Sequence, residues 1–381
     1  MRNPTRAMVA CLALASAASP AAAAEPLKVG ALLAVTGPAS FLGAPEARTL
    51  QLLADDLNAR GGVAGRKIEL IVKDTGGSPE KAISFAKQLI EEERVFAIIG
   101  PATSGETMAV KNIAEDGKTI LISCAAAEVI VNPVARYVFK TPQKDSHALA
   151  KIFREMRSRG IARIGVLSSN TGFGKAGKEQ IEKLAPEHGI QIAVNEVYDK
   201  AATDLTAEVT KLKAAGVQAV LNWSIEPAQA ILVKNVRQVG LAVPIFQSHG
   251  FGNIQYVKAA GAAAEGVILP HGRILVAETL PDAHPQKAVL VAYKKAYEAR
   301  FKEDVSGFGG YAHDAFALLV NAIRAAGPDR EKVRAALEST RGFVGASGVF
   351  NLSPSDHNGL DVDSFEMLTV KDGRFVVEAQ R

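Results

Sequence analysis

The amino-acid sequence predicts an α/β protein of two doubly wound lobes, each a mainly parallel sheet covered by helices, with a cleft between them. Three observations carry this. Short apolar runs alternate with helical segments from Leu27 to Phe139, and the alternation starts afresh after Thr141. The chain, 381 residues long, exceeds what a single hydrophobic core usually serves. In the stretch Gly100 to Ala127, GPATSGETMAVKNIAEDGKTILISCAAA, two strand-to-helix turns built of small residues follow one another. Ligands of open α/β sheets gather beyond the carboxyl ends of the strands, where such turns lie.

Residues 1–24 are expected to be a cleaved export signal. Arg2 and Arg6 precede an apolar stretch, Met8 to Ala18, and Ala22-Ala23-Ala24 supplies the small residues of a cleavage site. No later stretch approaches the roughly 20 apolar residues of a spanning helix, so an exported, soluble chain starting near Glu25 is expected. The two arginines are not adjacent, which argues against a twin-arginine route for a prefolded, cofactor-loaded protein. Removing them halves the formal net charge of +4, and nothing points to nucleic acid. Cys11 falls inside the signal. Cys124 is then the single mature cysteine, no intramolecular disulfide can form, and stability must come from packed cores.

Leu27 to Val35 reads as a strand, and Thr36-Gly37-Pro38 leads into a loop containing Phe41 and Leu42. A helix follows with Leu50, Leu53 and Leu57 on one face and Gly61-Gly62 past its end. Ile68, Leu70 and Val72 alternate along a second strand. Ser78 caps the next helix with Pro79 at its first position, and Ile83, Ala86, Leu89 and Ile90 form its buried stripe. Phe96 to Ile99 is a strand, Thr103 and Ser104 open a helix, and Thr119 to Ile122 is the next strand, stopping at Ser123-Cys124-Ala125-Ala126-Ala127. Beyond Tyr137 to Thr141 come a helix over 146–159, strands at Ile164 to Leu167, Ile190 to Val197, Ala219 to Trp223 and Val243 to Gln247, and helices between them. Gly266 to Pro270 is a further strand, followed by long helices over His284 to Lys302 and His313 to Ala326 and a shorter one over Asp329 to Thr340. The tail carries a hairpin turning at Asp372-Gly373. Chain crossings near residues 142, 273 and 347 divide the mature chain into a first lobe of 25–142 and 274–347 and a second of 143–273 and 348–381, able to close by hinging.

The first four N–H groups of a helix lack internal partners, and the helix dipole favours negative charge there. The turns at Thr103-Ser104 and Ala125 to Ala127 thus form a candidate anion site without an arginine. Taken singly, Ser and Thr at helix starts are more often simple caps. Gly172-Phe173-Gly174-Lys175-Ala176-Gly177 matches the GxGxxG pattern, with Glu196 at the expected distance beyond it. Four residues, Ser168 to Thr171, are expected to separate strand from first glycine, where a dinucleotide fingerprint needs that glycine in the turn itself. A glycine-rich cleft loop is therefore preferred and no cofactor is expected. The seven histidines form no HExxH and no close His/Cys spacing, so no metal site is expected. The run Asp356 to Asp363 is oxygen-rich but lacks the calcium loop's spacing and terminal Glu. There is no GxSxG, and no catalytic residue is assigned. His249 stands in a Gly-flanked turn after a strand, equally suited to a capped histidine or a ligand contact. Trp223, the only tryptophan, is expected in the core or at the cleft wall.

The segments VGALLAVTGPASFLG, ADDLNARGGVAGRKIELIVKDTGGSPEKA, IIGPATSGETMAV, ISCAAAE, GFGKAG and FGGYAHDAF together resemble the periplasmic solute-binding proteins of the leucine/isoleucine/valine-type ABC transporter family. The resemblance covers essentially the whole mature chain. It implies a type I periplasmic binding protein fold with a three-crossing hinge, a periplasmic monomer, one small ligand, and delivery to membrane permease subunits. Carried over by position, it places ligand-carboxylate contacts on Ser104 and on the backbone at Ala125 and Ala127. Contacts from the opposing lobe fall on Phe173, Ile225 and His249, and Leu42 falls on an apolar wall. Amino-acid-binding members usually have a hydroxyl residue at the position of Ala127 and an acidic one at that of His249, which hold the ligand's ammonium group. A buried cation without an acceptor is costly, so a carboxylate ligand without an amine is expected. Phe41, Phe173, Trp223 and Tyr311 are expected to offer flat walls for an aromatic acid of benzoate or phenylpropenoate type. The alternatives are a branched-chain amino acid, a short aliphatic acid or an amide, a sensor module with the same pocket, and an exported NAD-dependent dehydrogenase.

Overall fold

The computed structural model describes residues 24–379, so the expected export signal lies outside the described residues apart from Ala24. The chain runs β1 (Leu27–Leu33), α1 (Ser40–Ala59), β2 (Ile68–Asp74), α2 (Pro79–Lys87), β3 (Ala97–Ile99), α3 (Ser104–Asp116), β4 (Ile120–Ser123) and β5 (Val138–Lys140). These strands form a five-stranded sheet in the order β2-β1-β3-β4-β5, with every described pairing parallel. Its central strands β3 and β4 are buried on both faces, as helix-covered parallel strands must be.

The second half runs α4 (Asp145–Ser158), β6 (Arg163–Ser169), α5 (Gly172–Leu184), β7 (Gln191–Tyr198), α6 (Thr206–Ala214), β8 (Ala219–Trp223), α7 (Ala228–Gln238), β9 (Ile245–Gln247), α8 (Ile254–Ala260) and β10 (Ile268–His271). Helices α9 (Lys287–Phe301), α10 (Gly307–Ala326) and α11 (Arg330–Glu338) follow, then β11 (Phe343–Val344) paired with β12 (Val349–Phe350), and the hairpin β13 (Glu366–Lys371) and β14 (Arg374–Val377). The second sheet has seven strands in the order β14-β13-β10-β9-β8-β6-β7, parallel except where the tail hairpin joins antiparallel through β13. The hairpin turn is the expected Asp372-Gly373, both residues at positive φ. Helix α10 packs on α1 beside the first sheet, and α4 packs against β10 of the second.

Helix starts follow their caps. The Ser78 side chain accepts the Lys81 N–H with Pro79 at the first helical position of α2, and Thr103, Thr171, Ser306 and Asp329 do the same for α3, α5, α10 and α11. Two expectations need correction. Phe41 and Leu42 lie not in a loop but in the first turn of α1, which runs through Pro45. Proline lacks the N–H that would bond the carbonyl four residues back. That carbonyl, on Phe41, accepts instead from Asn253 Nδ2 at 2.8 Å, a residue reached from the second sheet. Likewise α5 starts at Gly172 and β6 extends to Ser169, so only Asn170 and Thr171 separate them.

Three passages of the chain meet between the sheets. Gln143 is buried, and its Nε2 donates to the Ser347 carbonyl at 2.7 Å. The Asp314 carboxylate accepts the N–H groups of Ala346 and Ser347 at 2.6 and 2.7 Å. A side chain at Gly272 would meet Gln143 and the Ala346–Ser347 backbone, so the passages near 142, 272 and 347 are in mutual contact.

Candidate functional site

Turns that follow parallel strands of both sheets converge on one tight cavity with about 10 Å³ of open space. The first sheet brings Ala102 and Ser104 after β3 and Cys124, Ala125 and Ala126 after β4, with Leu42 from α1. The second brings Phe173 after β6, Ile225 after β8, and His249 and Gly250 after β9. Phe308 and Tyr311 close it from the first turns of α10. As closed here it has room for about one water molecule, far less than ligand pockets of about 300 to 1,000 Å³, so a ring-sized ligand fits only if the two sets of turns move apart.

The sequence-derived residues divide accordingly. Leu42, Ser104, Ala125, Phe173, Ile225, His249 and Tyr311 line the cavity together. Thr103 stands at its mouth, in an outer hollow shared with Ser104, Phe173 and Ile225, and its hydroxyl caps α3 while donating to Glu106 Oε2 at 2.6 Å. Three residues are placed elsewhere. Ala127 is wholly buried behind the lining. Trp223 is fully buried one layer back, stacked on Phe173 at 5.6 Å and edge-on to His249 at 5.6 Å. Phe41 packs edge-on against Tyr256 at 5.0 Å, outside the lining.

The backbone donors also differ from expectation. The Ala125 N–H donates to Ser123 Oγ at 3.1 Å and the Ala127 N–H to Ser104 Oγ at 3.2 Å, so neither is free. Thr103 takes the Glu106 N–H and the Thr107 N–H. The first turn of α3 therefore offers the Ser104 and Gly105 amides, the Ser104 hydroxyl hydrogen, and the dipole of the helix end.

Opposite stands His249, 1 % exposed, with neither ring nitrogen hydrogen-bonded. Phe173, Trp223 and Phe365 surround its ring with centroids 5.4 to 5.6 Å away. Burial first, then the Lys140 charge and His271, hold its pKa well below the usual histidine value. Tyr311 lines the cavity, its buried hydroxyl has no partner, and burial raises its pKa. Cys124, also in the lining, is kept a thiol by burial.

Sequence reasoning missed Phe308, Cys124, Ala102, Ala126 and Gly250 as lining, and three buried charged side chains behind it. Glu46, one turn after Leu42, has both carboxylate oxygens without partners, and burial lifts its pKa well above the usual range. Lys140 and Asp145 are buried beside the Ala126 turn. A lysine directly after the apolar run Tyr137 to Phe139 was the available signal for Lys140; Glu46 and Asp145 look like ordinary helix-surface and helix-start residues.

The GxGxxG glycines have a packing explanation. A Cβ at Gly172 would come within 2.8 Å of the Gly105 backbone, where the starts of α5 and α3 abut, and one at Gly177 would strike the Trp223 indole at 2.0 Å. Close approach, not a phosphate, accounts for both. Among the described residues no group of three or more potential metal-binding side chains occurs.

Comparison with known proteins gives a consistent set of relatives. A family model described as periplasmic binding protein matches residues 26–373. The leucine-, isoleucine-, valine-, threonine- and alanine-binding protein of Pseudomonas aeruginosa is 28% identical over 336 residues, 87% of each chain. An extracellular ligand-binding receptor from Rhodopseudomonas palustris HaA2 superposes with a TM-score of 0.87 at 28% identity, covering 93% of this chain and 100% of its own. A solute-binding protein of an ABC transporter from Rhodopseudomonas palustris BisB5, in complex with 3,4-dihydroxybenzoic acid, has a TM-score of 0.78 at 20% identity, covering 92% and 95%.

Proposed function

The chain belongs to the periplasmic binding protein family, and from that premise we propose that it is the periplasmic component of an ABC importer that closes on an aromatic carboxylate, of benzoate or phenylpropenoate type, and hands it to the permease. Its type I fold, with two sheets facing one cavity, and its relatives of the Leu/Ile/Val-binding group support the class. The observation that carries the ligand is chemical: no Asp or Glu lines the inner cavity, where His249 takes the place of a carboxylate, and the nearest acid of the adjoining outer hollow is Glu226. An ammonium group buried there would lose its water and find only neutral acceptors in the inner lining, with no carboxylate to offset its charge.

The start of α3 suits the acid group, through the Ser104 hydroxyl, the free first-turn amides and the helix dipole. Phe173, Phe308, Leu42 and Ile225 offer apolar faces to a ring, and Tyr311 and His249 offer polar atoms to its far substituents. The fold relative holding 3,4-dihydroxybenzoic acid lends this reading support as a matter of architecture. The lobe assignment 25–142 with 274–347 against 143–273 with 348–381 is part of the proposal, as is closure about the three crossings. So are the monomeric state and cleavage near Ala24.

A second reading is a branched-chain amino acid, favoured by the name of the Pseudomonas relative. A thermal-shift panel of benzoate, cinnamate and leucine separates the two. Aromatic carboxylates should raise the melting temperature and leucine should not; a leucine response equal to the best aromatic acid would replace the first reading with the second.

A further inference from the structure

The cavity that is proposed to take a carboxylate contains no lysine or arginine in its lining. What stands behind it is a buried chain of ionisable groups. His249 Nε2 lies 3.7 Å from Asp145 Oδ1, and neither atom has another partner. The other Asp145 oxygen accepts the Glu128 N–H at 3.2 Å, from the turn that follows β4. The Lys140 ammonium donates to the carbonyls of Ala126, Pro142 and Gln143 at 2.7, 2.8 and 2.9 Å. Thus one buried cluster touches the cavity lining, the first crossing and the start of α4.

We propose that carboxylate binding in this cavity is coupled to uptake of one proton from solvent by the His249–Asp145 pair. The inference rests on the carboxylate reading above and adds the source of the counter-charge. In the empty protein near pH 7 His249 is neutral and Asp145 only partly ionised, its ionised fraction balanced by the Lys140 ammonium. A carboxylate entering this closed space adds one negative charge that no lining side chain offsets, and an uncompensated buried charge is costly. Protonating His249 restores neutrality. Its Nε2–H then has an acceptor in Asp145. The 3.7 Å separation, too long for a hydrogen bond between neutral imidazole and carboxylate, shortens to an ionic one.

The surrounding charges leave the pair easily moved near neutral pH. Burial raises Asp145 to about 7 and lowers Lys140 to about 8. Glu128 and Lys144 flank the cluster from the turn and from the residue before α4, Asp356 faces Lys140 from the tail, and His271 on β10 faces His249. Around the imidazole itself the remaining neighbours are aromatic. A helix dipole alone would hold the anion with no proton change, so the two accounts differ in a measurable quantity.

The test is titration calorimetry of the mature chain with benzoate and cinnamate at pH 7, in phosphate and in Tris at equal ionic strength. The apparent enthalpies should differ by the buffers' difference in ionisation enthalpy multiplied by the uptake, about half a proton at pH 7 and closer to one at pH 8. Between pH 6 and 8 the affinity should fall by up to about tenfold per pH unit, the slope of one linked proton. His249→Gln and Asp145→Asn should each reduce the uptake, with circular dichroism showing which variants fold; should one not fold, the other and the wild-type buffer comparison decide. Binding without buffer dependence, or uptake unchanged in the folded variants, overturns the proton coupling and leaves the carboxylate reading standing. Failure of both acids to bind the wild type at any pH from 5 to 8 removes the carboxylate reading and this inference with it.

Discussion

Ser104 shows how much one side chain is asked to do. Its oxygen accepts the buried Ala127 N–H, its hydrogen is left to donate, and it sits where the dipole of α3 is strongest. Replacing it by Ala removes a donor from the anion site and also strands the Ala127 amide. Carboxylate binding should weaken by about 1–3 kcal/mol, and unchanged affinity by calorimetry would move the acid group to another wall. Tyr311 predicts the opposite balance. Its hydroxyl is buried and unpartnered, so Tyr311→Phe should leave the empty protein as stable or more so. Affinity for hydroxylated ring acids should still fall by about 0.5–1.5 kcal/mol, the worth of one hydrogen bond; equal affinities would mean that the ligand does not reach this hydroxyl. Such residues were legible because small and polar types in turns after strands mark a sheet's ligand edge. Depth was not legible. Trp223 ends, and Ala127 follows, a strand that also leads to lining residues, yet sequence order cannot say which neighbour comes between them and the cavity. Buried Glu46, Lys140 and Asp145 were hidden because a charged residue on a helix or near a strand end is ordinarily solvated.

At the level of elements, most strands and helices were legible from periodicity and caps, because apolar alternation and an Ser78-Pro79 start are local signals. The misjudged starts have non-local causes. Helix α1 begins ahead of its apolar stripe because Asn253, from the other sheet, satisfies the carbonyl that Pro45 leaves open. Helix α10 begins six residues before His313 because Ser306 caps a glycine-rich first turn packed on α1 and β10. The abutting starts of α3 and α5 are the element-scale feature with the sharpest consequence. Gly172 allows the two helix ends, one from each sheet, to approach until a Cβ would lie 2.8 Å from the Gly105 backbone. Gly172→Ala should therefore oppose the closed arrangement while sparing each half. The empty protein should melt within about 1 kcal/mol of wild type in stability, as expected for Ala in a helical first turn, and ligand affinity should drop at least several-fold. Small-angle scattering with saturating ligand would show a larger radius of gyration than wild type; a wild-type radius and affinity would mean the helix starts separate without cost.

Across the whole molecule, the place where both sheets and all three crossings meet is filled with polar groups, and its response to acid can be worked out at His271. This residue ends β10, immediately before the crossing at Gly272 and Arg273. Its ring is wedged where a side chain at Gly252 or at Gly307, at the start of α10, would collide with it. Nδ1 bonds the Gly272 carbonyl at 3.0 Å, and Nε2 has no partner. Burial lowers the pKa to about 4 from the ordinary 6.5, outweighing the Gly272 bond, which raises it. A histidine depressed in the folded state gives stability that is present above its unfolded pKa and lost as pH falls toward the folded one. The window here is pH 6.5 down to 4, and 2.5 pKa steps correspond to about 3 kcal/mol. Buried carboxylates such as Glu46, raised by desolvation, act in the reverse sense, their stabilisation growing as pH falls, so the wild-type curve alone mixes the two. A His271→Gln variant isolates one of them. In urea denaturation the variant's deficit relative to wild type should shrink by about 3 kcal/mol between pH 7 and pH 4, because glutamine has no proton to take up. Parallel stability curves across that range would mean that His271 is protonated, and solvated, in the folded protein. That result would place water inside the crossing, and the three passages of chain would then move against each other through a wet joint instead of a packed one.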